Sequence, residues 1–154
     1  MSEELKVPKR RAPVEVLFPG GAARRVTVFL AEFASNHSGP ERISDLLNGG
    51  TDFVPAIDLE SGRVTFLGRQ GIAAARVERE WESEPGMAAT SEHAVQVTLV
   101  DGTVLRGTVG FAFPPERSRL LDYLNGAPPF VRLSEKDHVA LINKRHIAQV
   151  APLE

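Results

Sequence analysis

The chain has 154 residues, 42% of them hydrophobic and 25% charged, with a formal net charge of −2, the make-up of a folded protein rather than a disordered one. It contains no cysteine, which excludes disulfides, thiolate zinc sites, iron–sulfur clusters and a cysteine nucleophile. The small net charge gives no global pull toward nucleic acid or membrane.

Residues 1–12 carry Lys6, Lys9, Arg10 and Arg11 among prolines and read as a basic flexible arm. A signal peptide needs an apolar stretch here, and no later run approaches membrane-spanning length. The expectation is a cytoplasmic protein with no membrane partner.

From Val14 an apolar alternation leads to Gly20-Gly21, a hairpin turn, and a return strand with Val26, Val28 and Leu30 on one face. Pro40 and Glu41 suit the first turn of a helix with Ser38 as its cap. Ile43, Leu46 and Leu47 then share one face, and Asn48-Gly49 suits a left-handed stop. Short strands follow from Phe53 and Val64, and the last ends near Val77. Residues 13–78 form one unit.

Residues 79–93 are acidic and polar with Pro85-Gly86 as a breaker, and read as a linker. Trp81, the single tryptophan, lies there; it is expected to pack between units or to anchor a partner.

The rest of the chain repeats the first unit. VQVTLVDGTVLRGTVGFA from Val95 lies without a gap on VEVLFPGGAARRVTVFLA from Val14, an offset of 81 residues. PERSRLLDYLNGA follows PERISDLLNGG, Phe130-Val131 follows Phe53-Val54, and VALINKRHIAQV from Val139 follows VTFLGRQGIAAARV from Val64. Four blocks in the same order mean a duplicated structural unit. The second unit spans 94–151, with a helix from near Pro115 that uses Leu120, Leu121 and Leu124. Gly107 inside its return strand signals a bend or a close backbone contact. Units of roughly 60 residues are near the lower limit for an independent core, so the two are expected to lean on each other.

Five short strands with a helix between the second and third curl into a small barrel more readily than they stay flat. The order VTLVDGTVLRGTV, FVRLSEK, VALINKRHIAQV resembles the Sm-like branch of the SH3-like small barrels over about 55 residues of each unit. It implies a mainly β chain of two duplicated five-stranded barrels. The family usually places its helix before the first strand and reads RNA with a loop between the second and third strands, replaced here by the helix beginning at Glu41 or Glu116, and with an Arg-Gly pair that survives only as Leu67-Gly68-Arg69-Gln70-Gly71 and Ile142-Asn143-Lys144-Arg145-His146, so the RNA-binding implication transfers poorly. The SDLLN-type helix followed by an INKR-type hairpin also resembles bacterial domains that bring no activity with them.

The chemistry-bearing residues do not converge. His37, His93, His138 and His146 lack metal-ligand spacing, the serines lack a nucleophile elbow, and Gly20-Gly21 is not followed by the lysine of a phosphate loop. No catalytic, cofactor or metal site is expected. A duplicated scaffold of this kind reads as a non-enzymatic protein-interaction or regulatory adaptor module. The second reading is a nucleic-acid (RNA) binding protein of Sm-like type. The expected partner contacts are the basic turn Lys144-Arg145-His146, its counterpart Arg69, Trp81, and Arg10 and Arg11 of the arm. Association into a homo-oligomer belongs to the same expectation. The copies differ most in the loop leading into the helix, four residues longer in the first, and in the final hairpin turn.

Overall fold

A computed structural model describes residues 9–35, 37, 39–82, 91–111, 119–126 and 128–153. The first half contains β1 (Lys9–Leu17), β2 (Ala23–Ala31), α1 (Ile43–Leu47), β3 (Phe53–Asp58), β4 (Val64–Gly68) and β5 (Ala74–Val77). The second contains β6 (Ser91–Leu99), β7 (Val104–Phe111), α2 (Leu120–Gly126), β8 (Phe130–Ser134), β9 (Val139–Asn143) and β10 (Ile147–Pro152). All strands pair antiparallel in one sheet of order β10-β6-β7-β8-β9-β5-β1-β2-β3-β4.

Each half therefore has the same strand order, and the registers agree as well. Val16 lies opposite Ala75 and Val97 opposite Val150; Phe53 lies opposite Gly68 and Phe130 opposite Asn143. The expected pair of five-stranded barrels is corrected to one continuous ten-stranded sheet. The reason is that β5 pairs with β9 across the repeat, from Ala74 opposite Ile142 to Val77 opposite Val139, instead of either half closing on itself.

Apolar alternation places the core as the sequence indicates. One cluster gathers Val14, Val16, Val26, Val28, Leu30, Ile43, Leu47, Val54 and Ile72 of the first half. It also takes in Phe130, Val139 and Leu141 of the second. The other cluster holds Val95, Val97, Leu99, Leu105, Val109, Leu133 and Ile142 with Ala73 and Ala74 of the first half. Burying each large side chain contributes about 1.5–3 kcal/mol, and because each cluster takes residues from both halves, neither core is complete alone.

Several local expectations are revised. β1 begins at Lys9, so residues 9–12 of the expected arm are strand, held by pairing from Lys9 opposite Ala31 to Leu17 opposite Ala23; residues 1–8 lie outside the described residues. The expected linker contributes a 3₁₀ turn at Arg79–Glu82 and the start of β6, while residues 83–90 lie outside the description. The first helix begins at Ile43, not near Pro40. Asp45 Oδ2 accepts the backbone N–H of Arg42 at 2.8 Å, so Arg42 is the cap, and Ser38 lies outside the described residues. Its end is not left-handed, since Asn48 has φ −91°. The second helix begins at Leu120, and position 115 lies outside the description. Leu120 and Leu124 are half-buried but Leu121 is exposed, so α2 buries less than α1. Ile147, which repeats Ile72, is half-buried where Ile72 is fully buried.

The Gly20-Gly21 turn behaves as read, and the equivalent turn of the second copy is made at Gly102. Gly20 and Gly21 both have φ 91°, and Gly102 has φ 95°, values that L side chains rarely adopt. Gly107 marks a close approach: a Cβ there would lie 2.3 Å from the Ser134 carbonyl oxygen and 2.9 Å from Leu133 Cγ. Gly107→Ala is accordingly expected to cost about 1–3 kcal/mol of stability by forcing β7 from β8, measured by urea unfolding; an unchanged midpoint would refute that contact. Phe130→Ala, at a position shared by both halves, is expected to cost about 3–5 kcal/mol. Far-UV circular dichroism and Trp81 fluorescence should then shift together, whereas independent halves would shift separately.

Candidate functional site

The junction between the halves organises the polar groups. Asn48, at the end of α1, accepts the Phe130 N–H through Oδ1 at 2.8 Å and donates Nδ2 to the Phe130 carbonyl at 3.5 Å. Asn143, fully buried, donates Nδ2 to the Ile72 carbonyl at 3.0 Å and its backbone N–H to Ala73 at 2.9 Å. Its Oδ1 accepts the Arg145 N–H at 3.0 Å, which shapes the basic turn. Arg76 forms a two-point ion pair with Glu135, at 2.9 and 3.2 Å. The hydrogen bonds from Glu135 hold the Arg76 guanidinium above its ordinary pKa, against its burial.

Glu82 is the most deeply buried charge-bearing side chain of this junction. Its Oε2 accepts the Ser44 N–H in the first turn of α1 at 2.8 Å, and its Oε1 lies 3.4 Å from Arg132 of β8. Burial pushes its carboxyl above the ordinary range, opposed by the Ser44 hydrogen bond and by Arg132 and Arg42. Asp45 goes the other way: burial opposes its ionisation, but hydrogen bonds from His37 and Arg42 outweigh that and hold it low.

The anticipated contact residues fall into two groups. Arg10 lies with its guanidinium carbon 5.0 Å from the Trp81 ring centroid and donates to the Glu41 carbonyl at 3.0 Å. Trp81 packs against the first core cluster. Arg11 is exposed and lies 5.7 Å from the Phe29 ring. The other group joins the two hairpin turns, because His146 Nε2 is 2.8 Å from the Gln70 carbonyl. There Lys144 is half-buried and Arg145 exposed. Arg69, expected at a surface turn, is buried and donates to the Leu47 carbonyl at 3.4 Å. The end of α1 covers it, which removes it from the exposed basic set.

Two surfaces were not foreseen. The first is a cleft of about 650 Å³ between α1 with its long leading loop and the second half, lined among others by Ser35, Arg42, Asp45, Tyr123, Phe130 and Arg132. Phe111 stacks on Tyr123 with ring centroids 4.8 Å apart, and His93 on Phe111 at 5.6 Å. The charged groups of this wall hold one another: His37 Nε2 is 2.7 Å from Asp45 Oδ2, and Asp45 caps α1 through Arg42. Among the described residues no three histidine or acidic side chains are placed to hold a metal.

The second is an apolar face on β3 and β4. Phe53, Pro55 and Ile57 alternate along β3, and Val64 and Phe66 along β4, with Pro55 opposite Phe66 and Ile57 opposite Val64. Phe53, Val64 and Phe66 are 63%, 65% and 69% exposed, whereas their counterparts Phe130, Val139 and Leu141 are 2%, 1% and 0% exposed. The same face is thus buried in one copy and open in the other. Among the described residues no helix is long and apolar enough to cross a membrane.

No protein family, curated protein or solved structure matches the chain. The sequence had flagged the loop that forms the cleft, through its four extra residues, but not the open face, because apolar periodicity marks both copies alike. Glu82 gives a testable pH effect. A carboxyl whose folded pKa is raised binds protons more readily folded than unfolded, so it stabilises the fold progressively as pH falls from above its folded pKa toward its unfolded one. Relative to Glu82→Gln, the wild type should gain stability on moving from pH 8 to pH 4.5 in urea titrations. A difference that stays constant, or reverses, would contradict the buried placement.

Proposed function

We propose that the protein is a non-enzymatic interaction module, a regulatory adaptor built from two copies of one β unit, and that it binds a protein through the β3–β4 face. One observation carries this reading: Phe53, Val64 and Phe66 stand open on an edge where the equivalent residues of the second copy are fully covered. A contiguous exposed apolar patch is a mark of an interaction surface, and an unpaired edge strand adds main-chain donors and acceptors to it.

The nucleic-acid reading retains Arg11, Lys144 and Arg145 as its basic residues, while Arg69 is buried against the Leu47 carbonyl and Arg10 donates to the Glu41 carbonyl. Salt dependence separates the two readings, because phosphate contacts release counterions and an apolar contact does not.

The test compares proteins captured from lysate by the wild type, by Phe66→Glu and by Lys144→Ala with Arg145→Ala. Phe66→Glu, at an open position, is expected to change stability by no more than about 0.5 kcal/mol and to lose the captured protein. The double alanine variant is expected to retain it with a slower association. Capture that survives Phe66→Glu but is lost in the double variant would move the binding surface to the basic turn.

A further inference from the structure

We propose that the partner of the β3–β4 face is a second copy of this chain, which joins head to tail by placing its β10 edge and α2 against β4 and β3. The inference rests on the reading of that face as the binding surface and names its occupant.

The chain already contains the interface in question. Within it, β5 and α1 of the first half cover β9 and β8 of the second: Phe130, Val139 and Leu141 join a core cluster whose other members all belong to the first half. The covering side is made by Ile43 and Leu47 of α1 with Ile72 and Ala75 around β5, all buried. Both sides of this junction recur at the ends of the sheet. β4 pairs only with β3, and β10 only with β6, among the described residues.

At the β4 end, Phe53, Val64 and Phe66 repeat Phe130, Val139 and Leu141 at offsets of 77 and 75 residues and are open. At the β10 end, Leu120, Leu124, Ile147 and Val150 repeat Ile43, Leu47, Ile72 and Ala75, and all four are only half-buried. The molecule therefore carries an uncovered face at one end and its matching cover at the other. Asn125 repeats Asn48, the residue that clamps the Phe130 backbone, and it is exposed. Its matching acceptor and donor would be the backbone of Phe53 in the next copy.

Transferring the internal register, in which Ala75 lies opposite Leu141 and Ala74 opposite Ile142, sets Val150 opposite Phe66 and Gln149 opposite Leu67. Pro152 lacks an N–H and ends the ladder. The ion pairs do not transfer: Arg76 is matched by Ala151 and Arg132 by Pro55. The contact between copies thus keeps the apolar and amide parts of the internal junction and loses its charged part. A heterologous contact of this kind builds a ring if its rotation closes and a filament if it does not.

Sedimentation velocity of the purified full chain over a range of concentrations tests the proposal. The wild type is expected to associate reversibly, and Phe66→Glu or Leu124→Glu alone to remain monomeric. Asn125→Ala, a milder change on an exposed residue, should weaken association roughly tenfold through loss of its two hydrogen bonds. An equimolar mixture of Phe66→Glu and Leu124→Glu retains one intact pair of surfaces and should form a dimer and nothing larger. A wild type that stays monomeric to about 1 mM, the weak-affinity limit, would overturn the proposal, as would two single variants that fail to combine although circular dichroism shows both folded. If Leu124→Glu does not fold, Asn125→Ala decides: unchanged association overturns the head-to-tail contact. A monomeric wild type whose captured lysate protein is still lost in Phe66→Glu would remove self-association while leaving the interaction face in place.

Discussion

The pairing of β5 with β9 is the contact on which the rest of the structure depends. Four residue pairs align there, and the pairing does more than extend a sheet. It brings Phe130, Val139 and Leu141 under α1 and completes a core that the first half cannot close with its own residues. Small domains bury a smaller fraction of their surface than large ones. Sharing side chains across the repeat raises that fraction for both halves without lengthening either.

Polar groups then fix what apolar burial leaves loose. A sheet edge can slip in register, and a slip of one residue would turn every side chain to the opposite face. Asn48 grips both backbone groups of Phe130, and Asn143 grips Ile72 and Ala73. The buried Asn143 amide must find the right partner or remain unsatisfied, at a cost of about 1–3 kcal/mol. Glu82 adds a charge that is costly to bury and is tolerable only with Ser44 and Arg132 in place. Together they select one register and one placement of α1.

The duplication, the strand sequence of each half, the helix between second and third strands and the two-sided alternation were legible, because each is a periodic or repeated property of the chain. Gly107 was legible too, as a residue without a side chain where a strand would otherwise want one. The continuous sheet was not. Whether β5 meets β4 of its own half or β9 of the other depends on edge geometry, and Ala74-Ala75-Arg76-Val77 reads as an ordinary strand in either case. The helix start also escaped: Pro40 and Ser38 imitate a first turn, but Asp45 reaching back to Arg42 decides it. Arg69 and Lys144 occupy equivalent turns, and only the tertiary position of α1 makes one buried and the other half-exposed. The open face on β3 and β4 was hidden for a related reason, since Val64 and Val139 look identical until something covers one of them.

Sequence differences between the copies follow the difference in what each copy must do. The internal junction is made once, inside one chain, where the connecting segment holds the halves at a high effective concentration. Ion pairs such as Arg76 with Glu135 and Glu82 with Arg132 add little net attraction once their desolvation is counted, but they discriminate strongly against a wrong fit. That suits an obligatory contact formed during folding. A contact between separate molecules must also offset the loss of translational and rotational freedom, several kcal/mol at least. At the β4 and β10 ends the apolar residues and Asn125 are retained while the charged pairs are replaced by Pro55 and Ala151. Such a surface keeps the shape of the internal junction but forms between separate molecules, so its occupancy would respond to protein concentration while the internal junction stays closed.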